Sequence, residues 1–128
     1  MNPALFCDPV TSVSASDTFF SPVMETVRTR MLPYQWKALH DEIPGAEPSH
    51  CVQNFRIAAG LGTGEFQGFV FQDSDAAKWI EAVAYSLRQH PDPELEARAD
   101  QLIDLILQTQ QPDGYIGTYY TINGLEKR

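Results

Sequence analysis

The chain has 128 residues, with 17 acidic against 9 basic side chains and a formal charge of −8. That balance leaves no basic stripe to neutralise phosphates, so neither nucleic acid nor a membrane is an expected partner. The length is that of one domain, and a hydrophobic share of 43% suffices for a core. No window approaches the roughly 18 apolar residues that a membrane span needs. The opening stretch MNPALFCDPVTSVSAS has neither the cationic start nor the apolar run of a signal peptide. Cys7 and Cys51 are too few and too far apart for a disulfide framework or a zinc knuckle, and Cys51 reads as a small buried hydrophobe. These features together favour the cytoplasm.

Residues 1–20 are expected to be irregular, and residues 21–128 to form the folded part. Ser21-Pro22 opens a helix along which Met24, Val27, Arg28 and Met31 follow at helical spacing. Pro33 is expected to break or kink it, with Tyr34, Trp36 and Leu39 beyond. A turn over 43–49 leads to a short helix capped by Ser49, in which Cys51 or Val52, Phe55, Ala58 and Ala59 share a face. His50, at the start of that helix, is expected to pair with Glu47 as a hydrogen-bonded neighbour of the cap. His40 and His90 fall at helix ends, where they suit the dipole. Gly60, Gly62 and Gly64 follow a helix rather than a strand, so they read as a connection and not as a dinucleotide loop.

From Gly68 to Thr121 the sequence spells two amphipathic helices in an antiparallel hairpin, spanning 75–111. The first stripe is Ala76, Trp79, Ile80, Val83, Ala84 and Leu87, with Asp73, Ser74 and Asp75 as expected N-caps. His90 closes this helix, because Pro91 and Pro93 cannot continue it. Asp92 is the expected cap of the second helix, with Pro93 at its first position and Glu94 and Glu96 in its first turn. Its stripe is Leu95, Ala99, Leu102, Ile103, Ile106 and Leu107, widened by Leu105, and Pro112-Asp113-Gly114 ends it. No strand ladder and no C-terminal helix are expected, which makes the fold all-α with about four helices. The hairpin's own stripes do not offset the entropy of ordering it, so they must meet further helices.

Two polar clusters stand out. Gln72, Asp73, Ser74 and Asp75, flanked by Phe69, Phe71 and Trp79, serve either as a helix cap or as carboxylates, amide and aromatics for a sugar. Gln110, Gln111, Asp113, Tyr115, Tyr119 and Tyr120 form either a tied-down turn or the rim of a pocket. In an antiparallel pair, the start of the first helix and the end of the second lie at the same end. The candidate substrate-binding residues are therefore Gln72, Asp73, Asp75, His50, Gln111, Asp113 and Tyr115. A glycosidase needs two carboxyl groups about 5–10 Å apart across a sugar. Asp73 and Asp75 are too close in sequence for that, and no catalytic residue or metal set emerges.

The stretches MLPYQWKALHDEIPGAEPSH, NFRIAAG, GFVFQDSDAAKWIEAVAYSL, HPDPELEARADQLIDLI and QQPDGYIGTYYT resemble the N-terminal region of glycoside hydrolase family 127, the β-L-arabinofuranosidases. The resemblance covers about residues 20–128. QQPDGYI alone also resembles turns of terpenoid cyclases, but nothing else in the chain does. The family resemblance implies a catalytic (α/α)6 barrel followed by β-sandwich domains, acting with retention on terminal β-L-arabinofuranosides of plant glycans. It implies a cysteine nucleophile near a zinc ion and a glutamate acid/base, none of which matches a residue here. The chain is thus expected to be an inactive part of the barrel, with zinc implied only for the full-length parent. The partner is an arabinofuranoside-containing oligosaccharide, and unpaired helix faces invite self-association. The alternative is a helical interaction module that has kept the helices without the chemistry.

Overall fold

The structure, a computed structural model, describes residues 14–128. Cys7 and most of the segment expected to be irregular lie outside the described residues, and residues 14–19 hold only bends and turns. Every regular element among the described residues is helical.

Pro33 does not break the first helix. Helix α1 (Phe20–Thr26) passes through a π-helical stretch (Val27–Met31) into α2 (Leu32–Leu39). Proline has no N–H to donate, and its ring crowds the carbonyl four residues earlier. Widening the turn just before Pro33 accommodates the ring without ending the helix. Met31 and Leu32 accordingly keep ordinary helical dihedrals, and Pro33 falls in the first turn of α2.

The turn between α2 and α3 (Cys51–Ala58) is tied by Asp41. Its carboxylate accepts the N–H of Ser49 at 2.6 Å and that of His50 at 2.9 Å. The His50 Nδ1 lies 3.5 Å from the same carboxylate. The partner of His50 is therefore Asp41 and not Glu47, because the turn brings Asp41 back over the start of α3. Ser49 contributes only a long bond of 3.4 Å to the Cys51 N–H. Asn54, buried in α3, then pins the glycine-rich connection. Its amide donates to the Gln67 carbonyl at 2.8 Å and accepts the Gln67 N–H at 3.2 Å.

The hairpin consists of α4 (Asp73–Gln89) and α5 (Pro93–Leu107). Asp92 caps α5 as its sequence position predicts, accepting the N–H groups of Glu94 and Leu95, each at 3.1 Å. His90 ends α4. Ala76, Trp79 and Val83 of the first stripe are buried, as are Leu95, Ala99 and Leu102 of the second. Ile80, Leu87, Leu105 and Ile106 pack at the margin of this core, whereas Ala84, Ile103 and Leu107 face outward. The hairpin ends at Leu107, earlier than 111, because a tight turn over 106–111 takes over.

Helix α4 packs against α2, α3 and α5. Trp79 is its anchor. The indole N–H donates to the Leu32 carbonyl at 3.0 Å in the buried interior, and the ring lies 4.8 Å from that of Trp36. Beyond the hairpin come a short helix α6 (Thr118–Asn123), packed on α3, and a 3-10 turn (Leu125–Lys127). The sequence does not announce α6, because its cap comes from a distant residue.

Replacing Trp79 by Phe removes the indole donor and leaves the buried Leu32 carbonyl without that partner. The expected loss is about 1–3 kcal/mol, read as a lower denaturant midpoint at unchanged slope. Stability within about 0.5 kcal/mol of the wild type, the range of a neutral surface change, would contradict the anchoring role.

Candidate functional site

The N-terminus of α4 does not use its acidic side chains as caps. Gln72, the residue before it, is already helical and caps nothing with its side chain. The preceding turn supplies the acceptors, since the Ser74 N–H bonds to the Phe71 carbonyl at 3.1 Å and the Asp75 N–H to the Gln72 carbonyl at 2.9 Å. The Ser74 hydroxyl donates to the Phe71 carbonyl at 2.8 Å. Asp73 is thereby released for another partner.

That partner is Thr118. One Asp73 oxygen accepts the Thr118 N–H at 2.7 Å and the other accepts its hydroxyl at 2.6 Å, across 45 residues of chain. Asp73 thus caps α6 instead of its own helix. Thr118 is fully buried, so the charge-assisted bonds meet donors that water does not reach. This contact joins the start of α4 to the chain that leaves α5, the two polar regions that the antiparallel pairing places at one end.

Gln72 is engaged locally. Its Oε1 accepts the Phe69 N–H at 2.7 Å, which closes a turn around Gly68. Gly68 has φ +88, a backbone conformation that L side chains rarely adopt, and a Cβ there would push the Gln72 side chain out of this bond. Asp75 points to the other side of α4. It pairs with Lys78 at 3.1 Å and lines a cleft of about 340 Å³ between α2 and α4, with Gln35, Ser49 and Trp79. His50 is held by Asp41 beside Cys51.

The second cluster is a tied turn. Gln111 donates its side-chain amide to the Thr109 carbonyl at 2.8 Å and its backbone N–H to the Tyr115 carbonyl at 2.8 Å. Asp113 accepts the Tyr115 N–H at 3.1 Å and pairs with Arg128 at 2.7 Å. Arg128, then the Tyr115 N–H, hold its carboxyl below the usual carboxylate range. The Arg128 guanidinium lies 4.8 Å from the Tyr115 ring centre, a cation–π contact. Burial, and next the Asp73 carboxylate, raise the Tyr115 phenol above its ordinary value. The Tyr115 phenol lies over Gly117, the residue before the Thr118 that Asp73 bonds, which brings the two polar regions together.

Cys51 is buried against the start of α4. Its thiol donates to the Gln72 carbonyl at 3.4 Å, and burial pushes it up to about 12, with Asp73, Asp75 and Asp41 adding to the effect. A thiol that stays protonated is neither a nucleophile nor a thiolate ligand. No group of three His, Cys, Asp or Glu among the described residues can hold a metal ion.

Thr118, Asn54, Asp41 and Arg128 are the residues that sequence reasoning missed. Each acts on a residue that becomes its neighbour only in the fold. The single local hint was Gly117-Thr118 after a polar turn, a cap-like pair. Thr118→Val keeps the shape and removes the hydroxyl donor. The expected cost is about 1.5–3 kcal/mol, the range for a hydrogen bond to a charged group, measured by denaturant unfolding. Thr118→Ser, which keeps both donors, should stay within about 1 kcal/mol, roughly one buried methylene.

The comparisons with known proteins agree on a family. A profile described as "Beta-L-arabinofuranosidase, GH127 catalytic domain" matches residues 12–128. The chain is similar to the non-reducing end β-L-arabinofuranosidase of Bifidobacterium longum subsp. longum, at 42% identity over 87% of this chain and 19% of that one. It is similar in structure to a GH127 β-L-arabinofuranosidase from Geobacillus stearothermophilus T6, with TM-score 0.89 and 58% identity over 92% of this chain. A second GH127 β-arabinofuranosidase superposes with TM-score 0.75 at 30% identity, over 88% of this chain and 17% of its own. The chain spans about a fifth of the length of these relatives, 19% of the Bifidobacterium and of the Geobacillus enzyme. By sequence and by fold, the chain belongs to the GH127 β-L-arabinofuranosidase family, and its helices form part of that family's (α/α)6 barrel.

Proposed function

We propose that these helices serve an enzyme that hydrolyses terminal β-L-arabinofuranosides of plant-type glycans, as part of its catalytic domain. The observation that carries this reading is the likeness to the Geobacillus β-L-arabinofuranosidase, 58% identity at TM-score 0.89. The substrate is an arabinofuranoside-containing oligosaccharide. The acid/base and the nucleophile are placed outside the described residues, among which Asp73 is spent on Thr118 and burial keeps the Cys51 thiol protonated. Zinc, implied by the family resemblance, belongs to that same outside part. The small cysteine complement supports a cytoplasmic setting.

The exposed apolar side chains favour one further property of the isolated segment. Phe69 and Phe71, stacked at 5.3 Å, are each 65% exposed, and Tyr85 and Leu107 face outward as well. Apolar surface of this extent supports self-association of the 128-residue chain taken alone. The alternative reading, a non-catalytic interaction module, rests on the same surface.

Kinetics separate the readings. The full-length enzyme carrying this segment should turn over a chromogenic β-L-arabinofuranoside, while purified residues 1–128 should show no rate above buffer and should sediment as more than a monomer. Absence of turnover by the full-length protein would overturn the proposal. Turnover by residues 1–128 alone would overturn the placement of the catalytic groups.

A further inference from the structure

Asp73 and Tyr115 stand together at the open end of the hairpin, but they are spent differently. Both Asp73 oxygens are occupied by Thr118, at 2.7 and 2.6 Å. Tyr115 is clamped everywhere except at its hydroxyl. Its N–H goes to Asp113 at 3.1 Å, its carbonyl accepts the Gln111 N–H at 2.8 Å, and its ring lies 4.8 Å from the Arg128 guanidinium. The phenol folds over Gly117, where a Cβ would come within 2.5 Å of the hydroxyl oxygen. Glycine at 117 leaves the room that this placement needs. The hydroxyl itself has no hydrogen-bond partner among the described residues.

A side chain whose backbone and ring are fixed, with its polar tip left over, is preorganised for a ligand. We infer that the Tyr115 hydroxyl hydrogen-bonds a hydroxyl of the arabinofuranosyl substrate, and that Asp73 does not touch the sugar but positions Tyr115 through Thr118. The inference deepens the arabinofuranosidase reading and rests on it. Tyr115 keeps its proton at working pH, because an ordinary phenol titrates at about 10 and burial, then the neighbouring Asp73, raise it further, with Arg128 opposing. It therefore remains a donor. Asp113, which faces the turn, is engaged by Arg128.

A double-mutant cycle in the full-length enzyme tests this. Tyr115→Phe keeps the ring under Arg128 and removes only the hydroxyl. It should raise KM about ten-fold, the worth of one hydrogen bond to substrate, with kcat and melting temperature little changed. Asp73→Asn should act in the same direction, and the double variant should be no worse than the more severe single one. Effects that multiply would mean that Asp73 contacts the sugar independently, and normal kinetics of Tyr115→Phe would mean that its hydroxyl does not; either result overturns the inference. If Asp73→Asn does not fold, Thr118→Val breaks the same contact from the other side and takes its place in the cycle.

A second arm needs no substrate. The titration of Tyr115, isolated as the ultraviolet difference between wild type and Tyr115→Phe, should move to lower pH when Asp73 becomes Asn. An unmoved midpoint overturns the coupling of Asp73 to Tyr115. A wild type without turnover sinks the arabinofuranosidase reading, while this titration still decides the placement.

Discussion

Two hydrogen bonds from Thr118 to the Asp73 carboxylate, 2.7 and 2.6 Å long, join residues 45 positions apart in the chain. The connection at Asp92-Pro93 closes one end of the α4–α5 hairpin, and this contact closes the other. It gives α6 its first acceptor and holds the turn that carries Gln111, Asp113 and Tyr115 against the start of α4. Magnitudes say why it dominates. Hydrogen bonds to a charged group contribute about 1.5–3 kcal/mol each, whereas exposed ion pairs contribute about 0–1 kcal/mol. Arg28–Glu25 and Lys78–Asp75 are of the second kind. Trp79, bonded to the Leu32 carbonyl at 3.0 Å, performs the matching task in the interior by fixing α4 to α2.

The same contact reassigns the polar cluster. Four polar residues at a helix start read most simply as caps, yet the turn over Phe69–Gln72 already bonds the first N–H groups of α4. Each side chain is then free for a separate task. Gln72 folds onto Gly68, Ser74 onto Phe71, Asp75 onto Lys78, and Asp73 reaches α6. Asp73 is accordingly committed to Thr118. What the open end still offers is the Tyr115 hydroxyl and exposed aromatic surface at Phe69 and Phe71.

Much of the fold was legible where the signal is local. Asp92-Pro93 sets the start of α5, Pro91 ends α4, and the apolar period identifies Ala76, Trp79, Val83, Leu95, Ala99 and Leu102 as the buried face. The same-end placement of the two polar regions followed from counting helices. What stayed hidden depends on contacts between distant residues. Pro33 passes within a continuous helix because the preceding turn widens, a backbone adjustment that composition does not encode. Helix α6 was missed because its cap lies 45 residues away, and the His50 partner was misread because Asp41 returns over the turn. Family membership was legible for a different reason: long motifs such as GFVFQDSDAAKWIEAVAYSL carry more information than any periodicity.

The Thr118 amide offers the most direct test of the claim that Asp73 closes the hairpin. Thr118 N–H lies in the first turn of a six-residue helix, where amides ordinarily exchange fast for want of an intrahelical acceptor. Bonded to Asp73, it should exchange as slowly as the core amides of α5. In Asp73→Ala it should exchange at least about a hundred-fold faster, the counterpart of losing about 2.7 kcal/mol or more at that site, while the α5 amides hold their protection. Fast exchange at Thr118 in the unaltered protein, or slow exchange that survives Asp73→Ala, would contradict the account.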